Sequence, residues 1–316
     1  MPSWQARLLS TFARLTMKRR ANKHAAKLVS EKESAKFVRK LFEPPSFIPL
    51  TLPPGVRLRP VEDWGVHGEW LETDNVQRTV YYLHGGGYVA CSPRSHRGFT
   101  ANLALVANAR VLSLDYRLAP EDKFPAALED AVAGYRLLLD KGENPKNIVI
   151  GGDSAGGGLA AATLIALRER GLPMPTGAFL LSPWTDLAAT GETLEINDAS
   201  DPMLSGKLVA PLAKLYYGDF SPKNSLVSPL YGDLREFPPL RIYVSDTEIL
   251  LDDSRRFAER AKQQGVVVDL RVWNKMPHVW PVFVAFGIPE SKTAFGEIVE
   301  FIIERTSQPQ AKRAAA

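Results

Sequence analysis

The sequence predicts an α/β fold with a mostly parallel, doubly wound central sheet flanked by helices. Three observations predict it. From about residue 55, short β-branched runs alternate with longer helical stretches, and strands separated by helices imply right-handed crossovers. The middle runs, such as Ile148-Val149-Ile150 and Ala178 to Leu181, are continuously apolar, as strands covered on both faces require. Glycine-rich turns follow two of the runs, at the strand carboxyl ends where such sheets bind ligands.

Composition bounds the rest. The 316 residues are 45% hydrophobic and 23% charged, which excludes disordered and collagen-like chains. No apolar run approaches the roughly 18 residues of a membrane span, so stable membrane insertion is not expected. A single cysteine, Cys91, permits no internal disulfide and fits a reducing, cytoplasmic location. The net charge of +4 is unevenly placed. Residues 1–30 hold seven bases and no acid, leaving 32 bases against 35 acids in the other 286 residues. A nucleic-acid binder would spread a basic stripe with interleaved aromatics over its fold, so nucleic acid is not an expected partner.

In chain order, Trp4, Leu8, Phe12 and Leu15, with Leu9 beside them, recur at helical spacing behind a possible cap at Ser3. A second helix starts at Ser30, which pairs with Glu33 in a capping box, carries Val38, Leu41 and Phe42, and stops at Pro44-Pro45. Both are expected to pack on the body; a membrane-surface helix or a transit peptide are the alternatives. The body then shows strands at Thr79–Leu83, Val111–Asp115, Ile148–Ile150, Ala178–Leu181, Ile242–Val244 and Val266–Val272. Helices are expected at about 97–107, 126–140, 157–170, 252–264 and 290–305, with a frayed tail over 307–316.

Chemistry concentrates at strand ends. His84-Gly85-Gly86-Gly87 follows the first of these strands, and three glycines suit a loop that turns bare N–H groups toward developing negative charge. The pattern lacks the spacing of a phosphate cradle. His84 is expected to pin that loop. Gly152-Asp153-Ser154-Ala155-Gly156 is a weak motif alone, but here it joins a strand to a helix, the setting of a nucleophile elbow. Ser154 would then stand above the sheet, with the Ala155 N–H aimed where the glycine amides converge. A serine hydroxyl needs an imidazole, and the imidazole needs a carboxylate, in the chain order Ser, acid, His. Of five histidines only His278 follows Ser154. For the acid, Asp246 and Glu248 both lie after the strand Ile242–Val244, while Asp252 and Asp253 read as the first turn of the next helix. Position alone leaves Asp246 and Glu248 open.

Together, His84–Gly87, Asp115–Glu121, Phe124–Ala127, Gly152–Gly157 and Ser182-Pro183-Trp184 resemble the hormone-sensitive-lipase-like esterases, many of them microbial carboxylesterases of the α/β-hydrolase fold. The resemblance spans about residues 55–305. It implies a helical cap from residues 1–48 and from an insertion after the sixth strand, about 190–220, over a catalytic domain at 49–306. It also implies hydrolysis of short- to medium-chain esters with no cofactor or metal. The family's acid frame, Asp-Pro-Leu-x-Asp, aligns with Glu248-Ile249-Leu250-Leu251-Asp252, so Glu248 takes the catalytic place. The implied triad is Ser154, Glu248 and His278, with Gly85, Gly86, Gly87 and Ala155 around the oxyanion. Tyr88, Trp184 and Trp280 are candidate pocket walls. A small-molecule ester is the expected partner, and family habit adds a homodimer through the edge strand near 266–272. Lactones or amides would suit the same machinery. A non-catalytic receptor is the further alternative, against which His278 argues, because the gibberellin receptors that resemble this family lack that histidine.

Overall fold

The computed structural model describes residues 1–25, 30–43, 51–63 and 65–307. The expected tail beyond 307, the Pro44-Pro45 helix stop and the domain boundary at 48–49 lie outside the described residues.

Among the described residues, eight strands form one sheet in the order β1-β2-β4-β3-β5-β6-β7-β8. They are β1 (Arg57–Asp63), β2 (Val66–Glu72), β3 (Arg78–Leu83), β4 (Ala109–Leu114), β5 (Ile148–Asp153), β6 (Gly177–Leu181), β7 (Leu240–Ser245) and β8 (Val268–Trp273). All pairs from β4 to β8 are parallel, while β1 and β2 pair antiparallel with each other and β2 with β4. The β1–β2 hairpin is absent from the sequence expectation. Its first strand carries Pro60 and several charges, a composition tolerated because β1 is the sheet edge. The guanidinium of Arg110 and that of Arg59 lie over the Trp70 ring, which shields this half-solvated corner.

Side-chain alternation divides the core in two. Tyr81, Leu83, Ile148, Ile150, Leu180 and Ile242 face the layer holding α5 (Ala126–Asp140), α6 (Ala155–Glu169) and α9 (Leu251–Gln263). Their neighbours Val80, Tyr82, Val149, Phe179, Leu181 and Tyr243 face α4 (Pro93–Val106) and α10 (Pro289–Thr306). The strands are apolar on both faces because each face meets a helical layer. At the far edge β8 has no further strand partner among the described residues, and Val267 and Val272 stay exposed there.

Two helical segments lie over the carboxyl ends of the strands. One is the N-terminal arm: α1 (Trp4–Ala13), a π-helical stretch at Arg14–Lys18, α2 (Arg19–Ala25) and α3 (Glu31–Phe42). The other lies between β6 and β7 and contains α7 (Thr193–Ile196) and α8 (Gly206–Tyr217). Polar ties join them. Lys18 pairs with Asp198 at 2.7 Å, Arg14 donates to the carbonyls of Ala199 and Ser200, and Ser205 donates to Asn22. Ser30 and Glu33 form the expected capping box of α3, and Ser3 caps α1. The packing face of α1 differs from expectation. Ala6 and Ala13 are buried, and Trp4, Leu8, Phe12 and Leu15 face solvent. The small alanines let the helix backbone approach the body closely, which turns the large side chains away.

Candidate active site

Ser154 occupies a sharp turn between β5 and α6, at φ 53 and ψ −122. A non-glycine residue with positive φ is strained and persists only where its surroundings fix it. Here they do. The Ser154 N–H donates to the Leu181 carbonyl at 2.8 Å, and its own carbonyl accepts from Trp184 and Gly158. A Cβ on Gly156 would collide with the carbonyls of Leu83 and His84, so only glycine lets the β3 loop pass this close.

The loop after β3 is held from beneath. Register places Leu83 beside Gly152, so the next residue of β5, Asp153, sits under the first glycine. Its Oδ1 accepts the Gly85 N–H at 2.9 Å and the Tyr82 hydroxyl at 2.6 Å, and lies 3.2 Å from His96. Gly85 therefore does not offer its amide to a ligand, which corrects its expected place around the oxyanion. Burial opposes ionisation of Asp153, but the His96 charge and the bonds from His96 and Tyr82 outweigh it and lower its pKa. Gly86 at φ +116 and Gly87 at φ +65 turn the chain back, and the Gly86 carbonyl accepts from Val89 and Ala90. The N–H groups of Gly86, Gly87 and Ala155 donate to no group among the described residues. Ala155 is the first residue of α6, where an N–H has no intrahelical acceptor.

His84 lies under this loop. Its ring stacks on Tyr116 at 4.3 Å and its Nδ1 donates to the Gly85 carbonyl at 2.7 Å. Burial pushes its pKa down to about 3, so the ring is neutral. The Tyr116 hydroxyl donates to the His84 carbonyl at 2.6 Å. From α3, Arg39 donates to the carbonyls of Val89 and Ala119 and pairs with Glu121. The Asp115–Glu121 stretch thus braces the glycine loop from behind.

On the other side of Ser154, the structure pairs Glu248 with His278. Glu248 Oε2 lies 2.5 Å from His278 Nδ1. Its Oε1 accepts the Ser245 N–H at 2.7 Å and the Ser182 hydroxyl at 2.9 Å. Both groups are buried. Asp246 does not touch His278; its Oδ1 accepts the Lys275 N–H at 2.7 Å and shapes the turn leading to the histidine. Asp252 accepts from Thr193 near the start of α9. Asp253 accepts the amides of Thr185 and Asp186, and burial pushes its pKa up to about 8. Of the four acids only Glu248 reaches the imidazole. Burial pulls the His278 pKa down, but the Glu248 charge and hydrogen bond, with Asp201 and Asp153 behind them, raise it overall. Among the described residues His278 Nε2 has no hydrogen-bond partner, and the ring lines the same cavity as Ser154.

A sequence profile described as the alpha/beta hydrolase fold matches residues 80–282. An acetyl-hydrolase of Streptomyces hygroscopicus is 42% identical over 76% of this chain and 80% of its own length. An esterase of Acinetobacter venetianus is 37% identical over 78% of this chain and 82% of its own. Among solved structures, an esterase from the bacterial hormone-sensitive lipase family is 39% identical, with a TM-score of 0.86 over 97% of this chain and 100% of that one. The chain belongs to the hormone-sensitive-lipase-like esterases. A hormone-sensitive lipase from a metagenome library, 35% identical, aligns with a TM-score of 0.85 over 97% of this chain and 100% of that one.

In this esterase the cavity above Ser154 measures about 1060 Å³. Phe37, Leu41, Leu208, Leu212, Ile249 and Val282 supply much of its apolar wall, and Ser154, His278, Gly86 and Gly87 also line it. Trp184 lines it. Tyr88 and Trp280 do not. Tyr88 lies a layer back, stacked on Tyr216 at 3.7 Å, and Trp280 packs into the α10 core against Tyr243 and Trp273. Sequence reasoning also missed Asp201. Buried beside the esterase's Glu248 loop, it accepts the amides of Met203 and Leu204 with one oxygen and of Ile249 with the other. It ties the segment carrying α7 and α8 to the residue that follows Glu248. Only its Asp-Pro turn signal was visible in the sequence.

Proposed function

We propose that this esterase is a serine carboxylesterase that works through an acyl-enzyme on Ser154, with His278 as its base and Glu248 as the acid that orients it. The observation that carries this reading is the buried Glu248–His278 contact at 2.5 Å, which fixes Nδ1 as the protonated nitrogen and leaves Nε2 as the acceptor within the Ser154 cavity. His278 takes the Ser154 proton as Oγ attacks the ester carbonyl. The amides of Gly86, Gly87 and Ala155 are the donors still available for the oxyanion, each worth about 3 kcal/mol of barrier. His278 then protonates the leaving alcohol, and in the second half it activates the water that frees the acid.

The raised His278 pKa sets the sign of the pH dependence. Nε2 can accept the Ser154 proton only while the ring is neutral. Reactivity of Ser154 is therefore full above the histidine's pKa and is lost as pH falls through it, at a value above the ordinary 6.5.

The substrates we propose are esters with short to medium acyl chains. The relative from Streptomyces named an acetyl-hydrolase supports the short end. The largely apolar cavity supports extension, because each buried methylene contributes about 0.8 kcal/mol. Turnover of p-nitrophenyl esters from acetyl to palmitoyl tests this. The expected kcat/KM rises from acetyl toward butanoyl or hexanoyl and falls well before palmitoyl. A maximum at palmitoyl would overturn the chain-length assignment and leave the chemistry standing.

A further inference from the structure

The N-terminal arm presents an apolar stripe that the fold does not cover. Trp4, Leu8, Phe12 and Leu15 follow one another at helical spacing and are 65%, 62%, 61% and 62% exposed. Soluble surfaces rarely expose so many large apolar side chains side by side unless the patch binds something. Two further observations say what. First, the stripe borders the catalytic cavity. Trp4, Leu8 and Phe12 are among its lining residues, as is Phe286, which is 75% exposed at the end of the 3₁₀-helical segment Trp280–Phe286 that follows His278. Second, the arm is basic. Of the seven bases in residues 1–30, Lys18 and Arg14 are used internally, whereas Arg7, Arg19, Arg20 and Lys23 are exposed and carry no ion pair among the described residues.

An apolar helix face set among bases is the pattern of a helix that lies in a lipid interface, its aromatic side chains below the headgroups and its cations among the phosphates. We propose that α1 docks this esterase on an anionic lipid surface, with the mouth of the Ser154 cavity held against the lipid. No helix among the described residues is long and apolar enough to cross a membrane, so the attachment is peripheral. Esters dissolved in the lipid would then enter the cavity without crossing water. That delivery rests on the esterase reading; the docking does not.

Docking can be measured on the full chain carrying Ser154→Ala, so that binding is read without turnover. The probes are phosphatidylcholine vesicles with and without phosphatidylglycerol. Co-sedimentation with the phosphatidylglycerol vesicles is expected, weakening as salt is raised. Leu8→Ser, Phe12→Ser and Leu15→Ser together should reduce partition by about tenfold or more with the thermal midpoint unchanged, since the side chains are exposed. Arg7→Gln, Arg19→Gln and Arg20→Gln together should reduce it by about fivefold per base on anionic vesicles only. Absence of partition would overturn the proposal. So would partition indifferent to the three serine replacements. If those replacements instead convert a dimer to a monomer in sedimentation velocity without changing partition, the stripe belongs to a second copy of the chain and the lipid assignment is wrong.

Discussion

Ser154→Ala and His278→Ala are each expected to lower kcat for a short-chain aryl ester by about a million-fold, while the thermal midpoint of Ser154→Ala moves by no more than about 3 °C. The size of the effect follows from the way the two residues act. A hydroxyl without its base and a base without its hydroxyl are equally idle, so either loss removes the whole nucleophilic route, and the double variant should be no worse than the single ones. The folding side follows from the surroundings. Ser154 is held at its positive φ by backbone bonds to Leu181, Trp184 and Gly158, none of which uses Oγ. His278 Nε2 has no partner to lose, although replacement strands Glu248 Oε2 in a buried site, so His278→Gln is the gentler control. Near-normal turnover in either variant would remove the proposed mechanism.

Glu248→Ala is expected to lower kcat by about 10⁴-fold, and Asp246→Ala by less than tenfold. In the proposed mechanism the carboxylate at 248 fixes the imidazole tautomer and stabilises the imidazolium, and its second oxygen is held by Ser245 and Ser182. Asp246 shapes the Lys275 turn and reaches the reaction only through backbone position. Glu248→Asp should fall between them. A carboxylate one methylene shorter cannot keep both the His278 bond and the Ser182–Ser245 anchor. Parallel kcat measurements on the three variants check the ordering, and a collapse confined to Asp246→Ala would reassign the acid.

The fold and the two ends of the proposed triad were legible in the sequence for a physical reason. A parallel sheet forces continuous apolar strands, and an elbow forces small residues around one serine, so both leave local patterns. Glu248 was legible only through the family frame, because two acids two residues apart in a loop differ in direction and not in any local signal. The glycine loop was readable as a loop of exposed amides, but which amide is engaged internally depends on Asp153 beneath Gly85, a contact between neighbouring strands. Tyr88 and Trp280 adjoin site residues in sequence while their side chains point into core, since neighbouring positions around a turn need not share a direction. For α1 the helical period announced a helix and not its buried face. Two alanines took that face, and the period of the large residues marked the outward one. The β1–β2 hairpin escaped because an edge strand does not need the apolar continuity that identifies a central one.

In the proposed mechanism Ser154, Glu248 and His278 act as one unit, and the rate at which a fluorophosphonate labels the enzyme, followed against pH, is the sharpest check of it. The expected result is one label per chain, mapped to Ser154, forming at a rate that falls with a single pKa above 6.5 as the solution is acidified. The same reaction should be slower by orders of magnitude in His278→Ala. Labelling at another residue, or labelling of Ser154 that proceeds equally fast without His278, would contradict it.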